Sequence, residues 1–403
     1  LCEKNIEILE QNPLLSQNTQ LQLQYEYNTR KLNDWHTKKI EGYQTRIKTQ
    51  PKFEYGEPNI AFLAEMEKRN SKKKIINQLL SDEGELKYDI DGIKQVTTDY
   101  YTNLFETKKT DSRIADKLLG NVTNTITEEE RLDLDRPISK EELEFAMKKL
   151  QRNKSPGPDG IPAEFYQRFW FLIKDLYFDF ISKVQTSAFP RDRNVSITTL
   201  IYKEKGDIYR LDNYRPIALI NVDIKILTKL LSIRLKHVLP TIIHKTQTAV
   251  FGRKIGDTIN MVRDLIDLAN RDDEEACLLF LDQEKAFDRV SHDFLFKTLG
   301  KFGFGNTFIN WIKLLYSKAF TRININGFLT DKIPLKSGVR QGCPLSALLY
   351  VLVIEIFALR LRMNPNIIGF TIQGEKLISG HYADDTVIKI TQNKCFKEVY
   401  KDI

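Results

Sequence analysis

Cysteine is scarce in this chain of 403 residues: Cys2, Cys277, Cys343 and Cys395 stand far apart and in no metal-ligand spacing. That scarcity argues against a disulfide framework and a structural zinc site, and it suits a reducing, intracellular compartment. Long apolar runs are missing too. The most apolar stretch, Leu345 to Leu359, is shorter than the roughly 20 residues a membrane-spanning helix needs and carries Glu355, so it reads as a buried helix and no membrane partner is expected. There is no internal repeat, no low-complexity block, no signal-peptide pattern and no methionine at position 1, so a piece of a longer, non-secreted polypeptide is expected. Neither sign of charge dominates. Lys and Arg number 61 against 54 Asp and Glu, a formal net charge of +7 that permits a polyanionic partner without demanding one. What is present is a composition 41% hydrophobic and 29% charged, that of a folded protein with a real core and room for more than one domain.

Up to about Arg136 the chain is polar and helical where it shows any period. Basic clusters at Arg30-Lys31, Lys38-Lys39 and Lys68 to Lys74 alternate with Tyr25, Tyr27, Trp35, Tyr43, Phe53 and Tyr55. Such a mixture suits phosphate contacts and base stacking, and equally suits solvated helical faces with core aromatics. Thr127 with Glu130 and Ser139 with Glu142 are capping-box helix starts, the second helix carrying Leu143, Met147 and Leu150 on one face and stopping by Lys154. Ser155 to Gly160, with two prolines and two glycines, is a rigid loop. Ala163 to Ser187 is apolar on nearly every side and is expected inside a domain. Val195 to Tyr202 reads as a strand, and Lys203 and Arg215 project from the sheet it begins. A long helix is expected from Val222 to Leu239.

Carboxylates give the chain its chemistry. Cys277 to Leu281 has the continuous apolarity of a buried strand and delivers Asp282 at its end, where an Asp also suits the cap of a helix over Gln283 to Val290. Much later, Tyr382-Ala383-Asp384-Asp385 lies between short apolar runs and reads as the turn of a hairpin. Two adjacent acids on a turn are often ordinary turn chemistry. A third acid arriving on a neighbouring strand changes the reading, because nucleotidyl transfer needs carboxylates that hold two Mg2+ ions about 3.5–4 Å apart. Between these points Asn326-Gly327 marks a hairpin between Thr321 to Ile325 and Phe328 to Ile333. Lys336 to Pro344 is a glycine-containing loop opening onto the buried helix.

Phe280-Leu281-Asp282 through Ala286-Phe287-Asp288, Arg340-Gln341-Gly342-Cys343-Pro344-Leu345-Ser346 and Tyr382-Ala383-Asp384-Asp385, in that order and spacing, resemble the reverse transcriptase of non-long-terminal-repeat (LINE-type) retrotransposons. Ser155 to Gly160, Arg215 to Leu219, Gln247-Thr248-Ala249 with Gly252-Arg253, and Tyr100 to Phe105 resemble further blocks of that family, over about residues 60 to 390. The aromatic and glycine spacing after Gln247 departs from the family's pattern.

The resemblance implies an α+β right-hand polymerase, with a helical extension at 1–136 contacting template RNA, fingers at 137–275 and an incomplete palm at 276–403, a small antiparallel sheet packed on helices. No thumb is expected, since the chain ends at Ile403, shortly after Asp385. By the same resemblance Asp282, Asp384 and Asp385 are the metal-binding acids for two Mg2+ ions, with Mn2+ a possible substitute, and the Gln283 carbonyl completes a metal shell. Phe287 is the steric gate that selects deoxynucleotides, Lys203 and Arg215 grip the triphosphate, and Gln341 and Gly342 line the nucleotide and template side. The implied partners are an RNA template, a DNA primer or nicked target DNA, and dNTPs. The implied setting is the nucleus or the cytoplasm. Two rivals are an RNA-dependent RNA polymerase, against which the bulky Phe287 stands, and a module that binds RNA without polymerising.

Overall fold

A computed structural model describes residues 2–47, 75–108, 110–190, 193–271, 277–367, 369–372 and 375–390. The chain divides into two compact units, Leu1–Asn77 and Gln78–Ile403. In the first, helices α1 (Cys2–Glu10) and α2 (Thr19–Ile47) pack on each other, and the Tyr25 hydroxyl donates to the Glu10 carboxylate at 3.0 Å. Tyr27 and Trp35 on α2 are exposed, with the Lys31 ammonium 5.5 Å from the Tyr27 ring centroid. The basic cluster Lys68 to Lys74, with Phe53 and Tyr55, lies outside the described residues.

The second unit mixes helices with small sheets. It begins with strands β1 (Leu79–Leu80) and β2 (Leu86–Lys87) and helices α3 (Ile90–Phe105), α4 (Ser112–Leu119), α5 (Glu128–Asp135) and α6 (Lys140–Lys148). Both capping boxes form: Thr127 and Ser139 accept from the backbones of Glu130 and Glu142, whose side chains reach back. Helix α6 ends at Lys148, short of Lys154, because the chain beyond it finds partners on α7 (Ala163–Ser187). Gln167 donates to the Leu150 carbonyl at 3.1 Å and Glu164 accepts from the Asn153 backbone. In the loop that follows, a β-carbon on Gly157 would fall 2.4 Å from the Asn221 nitrogen, so only glycine allows the loop to lie against the start of α8 (Val222–Ile242).

The expectation that α7 lies wholly inside the domain is corrected. Tyr166, Trp170, Tyr177, Ile181 and Val184 face the core, while Phe165, Phe169, Phe171, Leu172 and Leu176 are exposed. Its apolar residues exceed what one buried stripe holds, and the surplus faces solvent. By contrast α8 is buried around most of its circumference. So is α12 (Ser346–Met363), the expected buried helix, which is reached through α9 (Ile255–Arg271), α10 (His292–Lys301) and α11 (Asn306–Tyr316).

Two sheets matter for the site. In the larger, β3 (Val195–Tyr202) pairs antiparallel with β4 (Tyr214–Leu219) and parallel with β6 (Phe320–Ile325), so its strands come from both sides of residue 275. The segment expected as one strand from Phe328 to Ile333 is broken into β7 (Phe328–Leu329) and β8 (Ile333–Pro334). Both pair with β6, and between them the Thr330 hydroxyl accepts from the Ile323 backbone. The smaller sheet has the order β11 (Ser379–Tyr382), β12 (Asp385–Ile390), β5 (Cys277–Leu281). Leu361, Ile367, Ile378 and Ile388 form a core against it, joined by Leu279 and Leu281. A two-stranded ribbon, β9 (Phe370–Ile372) with β10 (Glu375–Leu377), precedes the hairpin.

One buried cation ties the helices together. Arg234 on α8, almost fully buried, donates to the Leu134, Arg136 and Pro137 carbonyls and to the Glu142 carboxylate, the last at 2.7 Å. Burial alone would raise Glu142, but its bonds to Arg234 and Arg136 bring it down to about 2. Arg234→Met, which leaves that carboxylate to Arg136 alone and strands three carbonyls, is expected to cost about 3 kcal/mol, read as a lower urea midpoint. Because Glu142 titrates below its ordinary value of 4.5, the stability it contributes is present above that pH and is lost as the pH falls toward 2. Glu142→Gln is expected to flatten the acid side of the stability profile over that window.

Candidate active site

Sheet register brings the acids together. Antiparallel pairing of β5 with β12 sets Leu281 opposite Thr386, so the next positions, Asp282 and Asp385, face each other across the strands. On the other side of β12, Tyr382 pairs with Asp385, which leaves Ala383 and Asp384 as the two turn residues. A two-residue hairpin turn requires a left-handed backbone at its first position, and Ala383 supplies it with φ 53°. Asp282 and Asp385 are exposed and Asp384 is half-buried. Burial, and behind it the charges of Asp385 and Asp282, push the Asp384 carboxyl above its usual range, with Arg215 among the groups opposing the shift. Arg215 is exposed on β4, and its charge counts, as the smallest of the named influences, at Asp384.

Among the described residues no three His, Cys, Asp or Glu side chains are gathered as metal ligands. The three carboxylates therefore share a corner without converging on one point. Their oxygen donors suit a hard divalent cation, and their mutual repulsion at Asp384 is what such a cation would relieve.

The segment after Asp282 is a run of turns, which corrects the helix expected over Gln283 to Val290. Lys285 takes a left-handed φ of 54°, breaking any helical path, and the backbone turns to the loop before α12 instead: Val339 donates to the Phe287 carbonyl and Gly338 to that of Val290, each at 2.7 Å. Phe287 stacks on Tyr350 of α12 with ring centroids 4.7 Å apart and planes 18° from parallel. The Tyr350 hydroxyl donates to Gln283 Oε1 at 2.8 Å. Burial, then the charges of Asp384, Asp282 and Asp385, push this phenol up.

Gln341 Nε2 donates to the Asp288 carboxylate at 3.2 and 3.4 Å, and its carbonyl accepts from Ala218 of β4 at 2.7 Å. Gly342 has φ 111°, and a β-carbon there would fall 2.6 Å from the Ala218 carbonyl oxygen, so glycine is what lets the loop touch β4. Lys203 is brought in less directly: it is exposed and donates to the Asp212 carbonyl at 3.1 Å. Lys285, in the turn after Asp282, bonds the Tyr100 hydroxyl and the Asp212 carboxylate.

Sequence reasoning did not single out Tyr350, Lys285 or the part played by Asp288. Tyr350 is hidden in an apolar run, where only its lone hydroxyl hinted at a partner. Asp288 is almost fully buried, and burial raises its carboxyl to about 6 against the pull of Gln341, Lys285 and Lys203. The folded chain holds this proton more tightly than the unfolded chain, so stability falls as the pH rises from about 4 to 6. In Asp288→Asn that slope is expected to be reduced, by up to about 3 kcal/mol across the window, measured as urea midpoints at stepped pH.

The family described as "Reverse transcriptase (RNA-dependent DNA polymerase)" matches residues 201–403. The chain is 34% identical, over 392 residues, to the "Transposon TX1 uncharacterized 149 kDa protein" of Xenopus laevis, covering 95% of this chain and 29% of that protein. Against a "Retrovirus-related Pol polyprotein from type-1 retrotransposable element R2" of Popillia japonica the identity is 30%, over 63% of this chain and 35% of that one. Against the "Probable RNA-directed DNA polymerase from transposon BS" of Drosophila melanogaster it is 28%, over 64% and 28%. The chain therefore spans about a third of the length of these relatives, or less. The family match takes in every acid of the corner and the loop that lies against β4, and this chain belongs to the reverse transcriptase family.

Proposed function

We propose that this chain is the polymerising core of a non-LTR retrotransposon reverse transcriptase, adding deoxynucleotides to a primer 3′-hydroxyl on an RNA template. The observation that carries the reading is the strand register that sets Asp282 opposite Asp385, with Asp384 in the adjoining turn. Asp282, Asp384 and Asp385 would hold two Mg2+ ions, or Mn2+ in their place, with the Gln283 carbonyl as a further ligand. Bound there, the ions would lower the pKa of the primer hydroxyl and neutralise the leaving pyrophosphate. Arg215, aided by Lys203, neutralises the triphosphate. Phe287 is fixed by its stack on Tyr350 and presents its ring beneath the sugar, where a 2′-hydroxyl would collide with it. Gln341, oriented by Asp288, and Gly342 form the wall on the nucleotide and template side.

In this reading residues 137–275 are the fingers, 276–403 belong to the palm, and 1–136 form an extension that touches template RNA. The primer is a DNA end or nicked target DNA, and the protein works inside the cell, in the nucleus or the cytoplasm. No described helix is long and apolar enough to cross a membrane. A second reading is RNA binding without synthesis.

Primer extension decides between them. With an RNA template, Mg2+ and labelled deoxynucleotides, the chain is expected to extend a primer, and the Asp384→Asn, Asp385→Asn double variant to lose the activity by at least about 10³-fold. Binding of primer and template without extension would favour the second reading. Phe287→Ala is expected to raise ribonucleotide incorporation relative to deoxynucleotide by about 10- to 100-fold in the same assay, and unchanged discrimination would remove Phe287 from the gate.

A further inference from the structure

The loop after α8 touches the acid-bearing hairpin, and the manner of contact is unusual. Residues 246–248 run alongside β11 as a short parallel partner: His381 donates to the Thr246 carbonyl at 2.8 Å, Thr248 donates to the His381 carbonyl at 2.8 Å, and Gln247 stands opposite His381. From that position the Gln247 side chain, 1% exposed, reaches the turn itself. Its Oε1 accepts from the Ala383 nitrogen at 3.0 Å and from the Ala249 nitrogen at 3.1 Å, and its Nε2 donates to the Ala383 carbonyl at 3.4 Å. Two N–H donors on one oxygen and a carbonyl facing the nitrogen allow only one orientation of the amide.

Ala383 holds the left-handed backbone, φ 53°, that a side chain with a β-carbon adopts at a cost. Both of its backbone polar groups are engaged by this one amide, and the next residue is Asp384. The loop is braced from behind by Arg253, whose guanidinium donates to the His244 and Gln247 carbonyls at 2.6 and 2.9 Å and to that of Ile243 at 2.9 Å.

Building on the polymerase reading, we propose that Gln247 is a positioning residue of the acid corner: its amide clamps the Ala383 peptide in the left-handed turn and thereby sets where the Asp384 carboxylate points. Gln247 touches neither nucleotide nor metal. It acts through one peptide unit, replacing with a tertiary contact the freedom that glycine would bring to that turn position.

The test uses Gln247→Met, close in length and volume but without the amide, and Gln247→Asn, one methylene too short to span the gap, should the methionine variant not fold. Hydrogen–deuterium exchange over residues 379–390 is the first readout, and it does not depend on polymerisation. The Ala383 amide is expected to be protected in the parent and to exchange at least about tenfold faster in the variant, with remote segments unchanged; equal rates would overturn the clamp. Mn2+ affinity, titrated by electron paramagnetic resonance, is the second. The variant is expected to bind about five- to tenfold more weakly, and adding Ala383→Gly, which takes the left-handed turn without help, to recover most of that loss. In primer extension kcat should fall by about 10- to 100-fold with KM for deoxynucleotide within about threefold, and recover with the same glycine. A fall in affinity or kcat that glycine does not relieve would assign Gln247 to general packing and overturn the positioning role. A parent chain that bound no Mn2+ would instead count against the polymerase reading, and the clamp would then be judged on exchange alone.

Discussion

Like charges must be held together at this centre, and the rest of the second unit is arranged around that constraint. Three carboxylates meet where β5 ends and the hairpin turns into β12, and Asp384 is pushed up by its burial first and then by the charges of Asp385 and Asp282. Backbone pairing supplies the force that keeps them adjacent: five register pairs between β5 and β12 fix where Asp282 and Asp385 stand, whatever their side chains prefer. Around the corner the protein arranges groups that tolerate or use the negative field. Arg215 opposes it from the second sheet, the Tyr350 hydroxyl stays protonated within it, and the Gln247 amide meets the turn without adding charge.

Polar groups also fix the segments that carry function onto the helical core. Arg234 gathers the ends of α5 and α6 against α8, and Arg253 gathers the end of α8 and the loop after it. Each is a planar donor array meeting several carbonyls at once, which suits guanidinium better than ammonium. The bond between Asp288 and Gln341 ties the turn after β5 to the loop before α12, where the close approach of Gly338 to the Asp288 backbone leaves no room for a β-carbon.

Much of this was legible in the sequence where the signal was local. The capping boxes at Thr127 and Ser139, the strand from Val195 to Tyr202 and the buried helix before Met363 each carry their own pattern of caps or apolar period, and each formed. The meeting of Asp282 with the Asp384-Asp385 turn on paired strands was legible because the motifs are short and ordered. Illegible were features decided by partners far away in the chain. Gln283 to Val290 has the composition of a helix, and its turns are imposed by backbone bonds to Gly338 and Val339. Helix α7 has more apolar residues than its neighbours can cover, a matter of what packs on it and not of its own period. Tyr350 and Gln247 act through hydroxyl and amide groups whose partners, Gln283 and Ala383, lie 67 and 136 residues away.

The position of β5 at the margin of its sheet has a consequence for how the chain is made. Among the described residues its one strand partner is β12, about a hundred residues later in sequence. At about 5–20 residues per second of synthesis, β5 waits on the order of several seconds or more with both edges bare. A polypeptide released anywhere in that interval carries one acid of the three and an open strand. The strand that completes the site is thus also the one that covers the first of the two edges of β5, the other having no strand partner among the described residues.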